Sequence, residues 1–180
     1  MVTPTKIKEV KVIQPRVFED DRGFFFETIN LLRLNDEGID FTVVQENCAY
    51  SKKKGTIRGL HFQNNPHAQA KIVRCVQGRV MDYAVDLRKN SPTYLQSVAV
   101  ELSAQNKKQL YIPRGFAHGV ISLEDDSMIE YFADNKYSPE HDRSIRYDDP
   151  SIGIDWGFDA VIVSEKDQNA PFVKDSDCNF

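Results

Sequence analysis

Short segments rich in valine, isoleucine and leucine recur along the middle of the chain, separated by turn residues. Ile72–Val76, Val80–Leu87 and Ser97–Leu102 have the composition that is typical of strands. Gln77 and Gly78, between the first two, indicate a turn. The pattern continues at Leu110–Ile112, Gly119–Leu123 and Met128–Phe132. Strands that follow one another at intervals of about ten residues, with little helix between them, predict an all-β sandwich or barrel.

Two segments near the N-terminus differ from this pattern. Ile29–Glu37 is the best helix candidate, and Gly38 is the residue expected to end it. Phe24–Phe26 is a short apolar run, which we expect to lie in the core rather than to form a stacking platform for a base. No repeat, low-complexity tract or linker divides the sequence, so we expect residues 1–180 to form a single domain.

Charge and cysteine content narrow the classes of function. The formal net charge is −4 and the pI is near 5.6, which gives no support for general nucleic-acid binding. No run approaches the ~18 apolar residues of a membrane span, and the N-terminus lacks the apolar core of a signal peptide. Cys48, Cys75 and Cys178 are odd in number and widely spaced, which disfavours a disulfide framework or a CxxC knuckle. We therefore expect a cytoplasmic enzyme without a membrane or nucleic-acid partner.

The segment IRGLHFQNNPHAQAK, residues 57–71, concentrates candidate chemistry. A metal site in a β-barrel often uses His-x-His on one strand, but His61 is followed by Phe62 and Gln63. His67 lies beyond a turn-like Asn-Asn-Pro, and we interpret it as a loop residue. Arg58 beside Gly59 could grip a diphosphate or could be a surface residue. The histidine spacing disfavours a metal site.

Strand parity places a condition on this segment. In an ideal strand His61 shares a face with Gly59, whereas Arg58 faces the other way. Both side chains can reach one pocket only if the strand bulges near Gly59, where glycine permits it. Lys71 stands at the start of an otherwise apolar strand, so its ammonium either extends to solvent or points into a polar cavity.

Two further segments carry polar groups that could belong to a site. A proline–glycine turn leads to His118, which could bind a ligand oxygen or cap the turn. Near the C-terminus, Ser164–Asp167 could be a solvated tail. It could also supply a carboxylate that orients a histidine, as in a base–orienter pair.

These residues fall within longer segments that resemble one family of sugar-modifying enzymes. The segments are DDRGFFFE (20–27), VVQENCAYSKKKGTIRGLHFQ (43–63), HAQAKIVRCVQGRVMDYAVDLRKNSPTY (67–94), LSAQNKKQLYIPRGFAHG (102–119), DDPSIGIDW (148–156) and SEKDQNAP (164–171). In this order they resemble the nucleotide-sugar 3,5-epimerases, the dTDP-4-dehydrorhamnose 3,5-epimerase family. The resemblance implies a double-stranded β-helix, a cupin-like jelly roll with a few short helices. It also implies a homodimer that uses no metal or organic cofactor.

The resemblance also assigns roles. It implies that the substrate is a nucleotide sugar, dTDP-4-dehydro-6-deoxy-D-glucose, which is epimerised at C3 and C5. It makes His61 the general base and Asp167 its carboxylate partner. Tyr131 becomes the acid on the opposite face of the sugar, and Lys71 the group beside the C4 oxygen. The implied substrate contacts are Arg22, Glu27, Gln45, Asn47, Arg58, His118, Asp142 and Lys166, and Arg22 and Glu27 would complete the site of the partner protomer.

The chemistry accounts for these residue types. The C4 ketone acidifies the protons on C3 and C5, and removal of either leaves an enolate with charge on the C4 oxygen. A neutral histidine suits proton removal near neutral pH, a lysine can act as a charged oxyanion donor, and inversion needs a second donor on the other face. Three alternatives remain open: a monofunctional 3- or 5-epimerase, a non-catalytic sugar-binding jelly roll and a metal-dependent cupin. The chain departs from the family pattern at Phe132, Lys136 and Asp142, which bears on the recognition of the nucleotide base.

Overall fold

The computed structural model describes residues 1–158 and 161–180, and these residues form two antiparallel sheets that face each other. Elements are numbered in chain order. The first sheet contains, side by side, β1 (Val2–Pro4), β2 (Lys11–Ile13), β10 (Gln109–Ile112), β7 (Lys71–Gln77), β12 (Ser127–Ala133) and β5 (Gln45–Ser51). The second contains β13 (Asp142–Ser144), β6 (Thr56–Gln63), β11 (Phe116–Ser122), β8 (Arg79–Asp86) and β9 (Ser97–Ser103). A short strand, β14 (Ile162–Val163), pairs in parallel with β6.

The predicted all-β jelly roll is confirmed, and five of the six strand predictions lie within one residue of the observed strands. The sixth, Gly119–Leu123, begins three residues after the start of β11 (Phe116–Ser122). Alternate residues of β8 show why the sheets face each other. Val80 and Ala84 are buried in the core between the sheets, together with Val73 of β7 and Leu110 of β10. A second core, which includes Trp156, covers the outer face of the second sheet. Burial of apolar side chains on both faces of this sheet accounts for its nearly continuous hydrophobic strands.

The predicted helix at Ile29–Glu37 is confirmed with narrower bounds, as α1 (Leu31–Asp36). The side-chain oxygen of Asn30 accepts a hydrogen bond from the Arg33 N–H, which caps the first turn. Gly38 follows with a φ of +73°, a conformation that ends a helix and favours glycine. Further along the chain lie α2 (Glu165–Gln168) and a 3₁₀ turn at Val173–Asp175. In the described part of the chain, no helix is long and apolar enough to cross a membrane.

The expectation that Phe24–Phe26 lies in the core is wrong for two of its rings. These residues form β4 (Gly23–Phe26), which pairs only with β3 (Val17–Asp20) in a separate hairpin. Phe24 is 58% exposed and Phe25 71% exposed. The hairpin is not part of either sheet, and in the described part of the chain no sheet packs over these rings, although the Lys107 ammonium lies 3.9 Å from the centre of the Phe24 ring.

A buried carboxylate fixes the turn that follows β8. Asp86 accepts hydrogen bonds from the side chains of Arg88, Ser91 and Thr93, at 2.6–2.9 Å. Burial alone would raise the pKa of the Asp86 carboxyl, but these hydrogen bonds outweigh it and lower the pKa to about 2. The network is structural, since its residues do not line the cavity described next.

Candidate active site

A cavity of about 410 Å³ opens between the two sheets, and it collects most of the predicted site residues. Strands of both sheets contribute to its walls. The predicted residues that line it are Gln45, Asn47, Arg58, His61, Lys71, His118, Tyr131, Asp142 and Lys166.

His61 and Asp167 form a hydrogen-bonded pair at this cavity. Nε2 of His61 lies 2.7 Å from Oδ1 of Asp167, and the Gly59 N–H donates to Oδ2 at 3.3 Å. The imidazole is 33% exposed and the carboxylate 4%. Burial opposes ionisation of Asp167, but the hydrogen bonds from His61 and the Gly59 N–H act against it, and the pKa of the carboxyl is lowered. An ionised carboxylate can only accept, so Nε2 carries the hydrogen and Nδ1 keeps a lone pair for proton removal.

The C-terminal segment supplies this carboxylate. The Ser164 hydroxyl accepts a hydrogen bond from the Asp167 N–H at 3.2 Å and caps α2, which places Asp167 in the first turn, facing inward. The structure therefore brings the Asp167 carboxylate to His61, as one of the two interpretations of Ser164–Asp167 required, whereas Ser164, Glu165 and Lys166 are exposed.

The predicted departure from ideal strand geometry at Gly59 is confirmed. Between β6 and β11, His61 pairs with His118 but Arg58 pairs with Val120, so β6 contains one extra residue. Gly59 has a φ of +134°, which favours glycine, and a Cβ there would lie 2.6 Å from Gly119 Cα. Because of this bulge, Arg58 and His61 both face the cavity.

Tyr131 and Lys71 occupy the wall opposite His61. Tyr131 lies on β12 and Lys71 on β7, both in the first sheet, whereas His61 belongs to the second. The Lys71 Nζ is 5.5 Å from the centre of the Tyr131 ring. Burial, with a contribution from Asp142, raises the pKa of Tyr131 and so keeps its phenol able to donate a proton. Of the two placements predicted for the Lys71 ammonium, solvent or a polar cavity, the structure shows the cavity.

Burial also acts on the lysine. Lys71 is only 8% exposed, and burial lowers the pKa of its ammonium to about 8. The negative charges of Asp82 and Asp142 oppose this effect. A cation placed in such a wall is suited to stabilise negative charge that develops on a ligand oxygen.

The rim of the cavity contains an ion pair and a polar cluster. Lys166 Nζ lies 2.8 Å from Asp142 Oδ2, and this pair joins α2 to β13. Gln45 Nε2 donates to Asn47 Oδ1 at 2.8 Å. Arg58 donates to backbone and side-chain oxygens of β5, which fixes its guanidinium at the edge of the cavity.

Arg22 and Glu27 are not brought to this cavity by their own chain. Arg22 stands in the exposed turn of the β3–β4 hairpin and pairs with Asp20 at 2.6 Å. Glu27 pairs with Arg33 at 3.2 Å. His67, interpreted as a loop residue, lies in a loop and packs its ring 4.5 Å from that of His141.

Sequence reasoning missed two glutamines that line the cavity and an aspartate, Asp82, that contacts His118 behind it. Gln63 is buried; its Nε2 donates to the carbonyls of His67 and Lys136, and its Oε1 accepts from the Ser138 N–H. Gln69 Nε2 donates to the Asn135 carbonyl, so both glutamines hold the loop that carries Tyr137 into the cavity. Asp82 is fully buried in β8. The signal that could have identified Asp82 is its position in an otherwise apolar strand, on the side that faces the interior.

Within residues 1–158 and 161–180, no three side chains of histidine, cysteine, aspartate or glutamate converge as a metal site would require.

Comparison with known proteins gives consistent matches over nearly the whole length. Residues 4–175 match a family model described as dTDP-4-dehydrorhamnose 3,5-epimerase. The dTDP-4-dehydrorhamnose 3,5-epimerase of Salmonella typhimurium is 47% identical over 175 residues, which are 96% of this chain and 95% of the relative.

Solved structures agree with the sequence matches. One is a dTDP-6-deoxy-D-glucose-3,5-epimerase from Legionella pneumophila in complex with dTDP-4-keto-L-rhamnose. It is 41% identical, has a TM-score of 0.94, and the match covers 98% of this chain and 94% of that one. ChmJ, a 3'-monoepimerase from Streptomyces bikiniensis in complex with dTDP-quinovose, is 32% identical with a TM-score of 0.89, covering 95% and 87%.

Proposed function

Because the chain belongs to the dTDP-4-dehydrorhamnose 3,5-epimerase family, we propose that it inverts C3 and C5 of dTDP-4-dehydro-6-deoxy-D-glucose to give dTDP-4-dehydro-L-rhamnose. One observation carries this proposal. A base paired with a carboxylate, His61, and a phenol, Tyr131, face each other from opposite walls of one cavity. Inversion requires that one group remove a proton and another deliver a proton to the opposite face.

Each inversion follows from this geometry. Nδ1 of His61 takes the proton from C3 or C5, and the electron pair of the broken C–H bond moves into an enolate with charge on the C4 oxygen. Lys71 stabilises that oxyanion. Tyr131 then donates its phenolic proton to the other face of the same carbon, and the C4 ketone re-forms. Exchange of protons with solvent returns His61 to its neutral form and Tyr131 to its protonated form.

The nucleotide diphosphate fits the rim. Arg58 and Lys166 supply positive charge for the diphosphate. Tyr137 is 53% exposed on the loop held by the two glutamines, where its ring can stack on the base. Gln45, Asn47, His118 and Asp142 complete the proposed substrate contacts.

Incubation with dTDP-4-dehydro-6-deoxyglucose in D₂O, followed by NMR of both carbons, tests the reaction. Deuterium at both C3 and C5 is expected, and the His61→Ala variant should incorporate none. Unchanged exchange in His61→Ala would show that another group is the base. Deuterium at only one carbon would identify a monofunctional epimerase, the activity for which ChmJ is named.

We also propose that the protein is a homodimer in which Arg22 and Glu27 complete the partner's cavity. The exposed phenylalanines of the β3–β4 hairpin support this proposal, since a contiguous apolar surface is typical of an interface. Mixed refolding of the His61→Ala and Arg22→Ala chains tests it. A heterodimer would contain one cavity with both native residues, so activity should exceed that of either homodimer. Activity that does not recover would contradict a shared site.

Two further expectations remain proposals. Strands from distant parts of the chain pair within one sheet, such as β14 with β6, which supports a single domain over residues 1–180. All three cysteines are free, which supports a cytoplasmic location. Protease resistance of the intact chain and fractionation of the source cells would test these proposals.

A further inference from the structure

The proposed reaction assigns no role to Asp82, a carboxylate in the interior between the two sheets. Asp82 is 0% exposed and follows the same parity along β8 as Val80 and Ala84, which belong to the central apolar core. An ionised carboxylate among apolar side chains is unfavourable unless other groups compensate its charge. The groups that compensate the charge of Asp82 therefore indicate which residues it acts on.

One oxygen of Asp82 has a clear partner. Oδ2 lies 3.0 Å from Nε2 of His118, which is itself buried at the cavity. His118 pairs with His61 across β11 and β6. A second histidine–aspartate pair therefore stands beside His61 on the same sheet. The other oxygen, Oδ1, is buried and has no hydrogen-bond partner among the residues that the structure describes.

A cation without a close partner lies on the facing sheet. The Lys71 ammonium makes no hydrogen bond or ion pair with any residue in the described ranges, although it is largely buried. Asp82 and Asp142 are the carboxylates whose charge acts on it. Asp142 is already paired with Lys166 at 2.8 Å, so Asp82 is the anion left to balance Lys71. The ionisable groups that share this cavity with Lys71 are Arg58, His61, His118, Tyr131, Asp142 and Lys166.

We propose that Asp82 is a positioning residue, which orients His118 through one oxygen and holds Lys71 as an ammonium through its charge. This inference rests on the proposed function, in which Lys71 stabilises the C4 oxyanion. A neutral amine would be a much weaker donor to that oxygen. Burial of Lys71 favours the neutral amine, and the buried negative charge of Asp82 opposes that loss.

The Asp82→Asn variant separates charge from hydrogen bonding, because the asparagine oxygen can still accept from His118. The measurement is kcat for epimerisation from pH 6 to pH 9, expressed as the ratio of variant to wild type. The ratio cancels the effects of pH that the variant and the wild type share. It should fall at least about tenfold across this range, because loss of the carboxylate moves the deprotonation of Lys71 from about pH 8 to lower pH.

A matched control is Asp149→Asn, which also alters a buried aspartate, but one that accepts hydrogen bonds from Ser151 and Val173 rather than from a residue that lines the cavity. Its activity ratio should not change with pH. A flat ratio for Asp82→Asn, with an active wild type, would overturn the role of the charge. An inactive wild type would instead overturn the proposed function.

A second measurement covers the case in which Asp82→Asn does not fold. In unaltered protein with isotope-labelled lysine, the NMR signal of Lys71, assigned with Lys71→Arg, should show a charged ammonium at pH 7. A neutral Lys71 at pH 7 would overturn the proposal.

Discussion

Replacement of Gly59 by alanine tests how much the bulge in β6 depends on a missing side chain. The new Cβ would lie 2.6 Å from Gly119 Cα and 2.7 Å from the His118 carbonyl oxygen. Both are backbone atoms of the paired strand β11, so neither can move aside by a change of rotamer. The φ of +134° is also unfavourable for any residue with a Cβ.

Two contributions set the expected loss of stability. A non-glycine residue in a sparsely populated backbone region costs roughly 1–3 kcal/mol. Overpacking in a close-packed interior typically costs about 1–3 kcal/mol more. Together they predict a loss of roughly 2–6 kcal/mol in the free energy of unfolding. For a chain of this size, each kcal/mol lowers the melting temperature by about 2–4 °C, so thermal unfolding followed by circular dichroism should show a clear shift.

Gly23→Ala is the matched control, because Gly23 has a similar φ of +125° but no atom within 4 Å of the position of its Cβ. It should show only the backbone contribution. Equal melting temperatures for Gly59→Ala and Gly23→Ala would refute the argument from close approach. Because the bulge places both Arg58 and His61 at the cavity, Gly59→Ala should also lose activity at temperatures where it is still folded.

Three more changes test other parts of the structure. Asp167→Asn should lower kcat by about 10²–10⁴-fold, because His61 loses the carboxylate that fixes its tautomer; more than a tenth of wild-type activity would contradict this. Asp86→Asn should lower the free energy of unfolding at pH 7 by roughly 2–3 kcal/mol, as judged by urea denaturation. The folded-state pKa of Asp86 lies below its unfolded value of about 3.9, so the carboxylate stabilises the fold above about pH 4. That contribution is lost as pH falls towards 2. Below about pH 4, the free energy of unfolding should therefore fall less steeply with decreasing pH in the variant than in the wild type; equal slopes would refute the argument. Lys166→Ala should raise KM about tenfold or more but change stability by less than ~1 kcal/mol, because the Lys166 side chain is 61% exposed; a large drop in melting temperature would show a structural role instead.

The central strands were predicted well because their apolar, β-branched composition and the turn residues between them are local signals. The helix was found for the same reason, with bounds two residues too early and one too late. Parity within β6 even predicted the bulge at Gly59, since two polar side chains on opposite faces had to reach one pocket. These inferences depend on residues close together in the chain.

Other features depend on which segments meet, and local patterns do not contain that information. The residues alone left Ser164–Asp167 open between a tail and an orienting carboxylate, and only the family resemblance chose between them. The phenylalanines of β4 were expected in the core because hydrophobicity does not reveal that their hairpin stands apart from both sheets. Asp82 was missed because its strand was identified from its apolar composition, and the residues of that strand that face the interior were not picked out.

The distance along the chain between His61 and Asp167 has a consequence for biosynthesis. The two residues are separated by 106 positions, and the strand that carries His61 also pairs with β13 and β14, which follow it by about 80 residues or more. During translation, a ribosome adding about 5–20 residues per second would expose His61 several seconds before Asp167 emerges. A nascent chain therefore cannot contain an oriented base until the C-terminal segment that carries Asp167 has docked. Chains released early would lack catalytic competence as well as stability, so activity should report on completed folding.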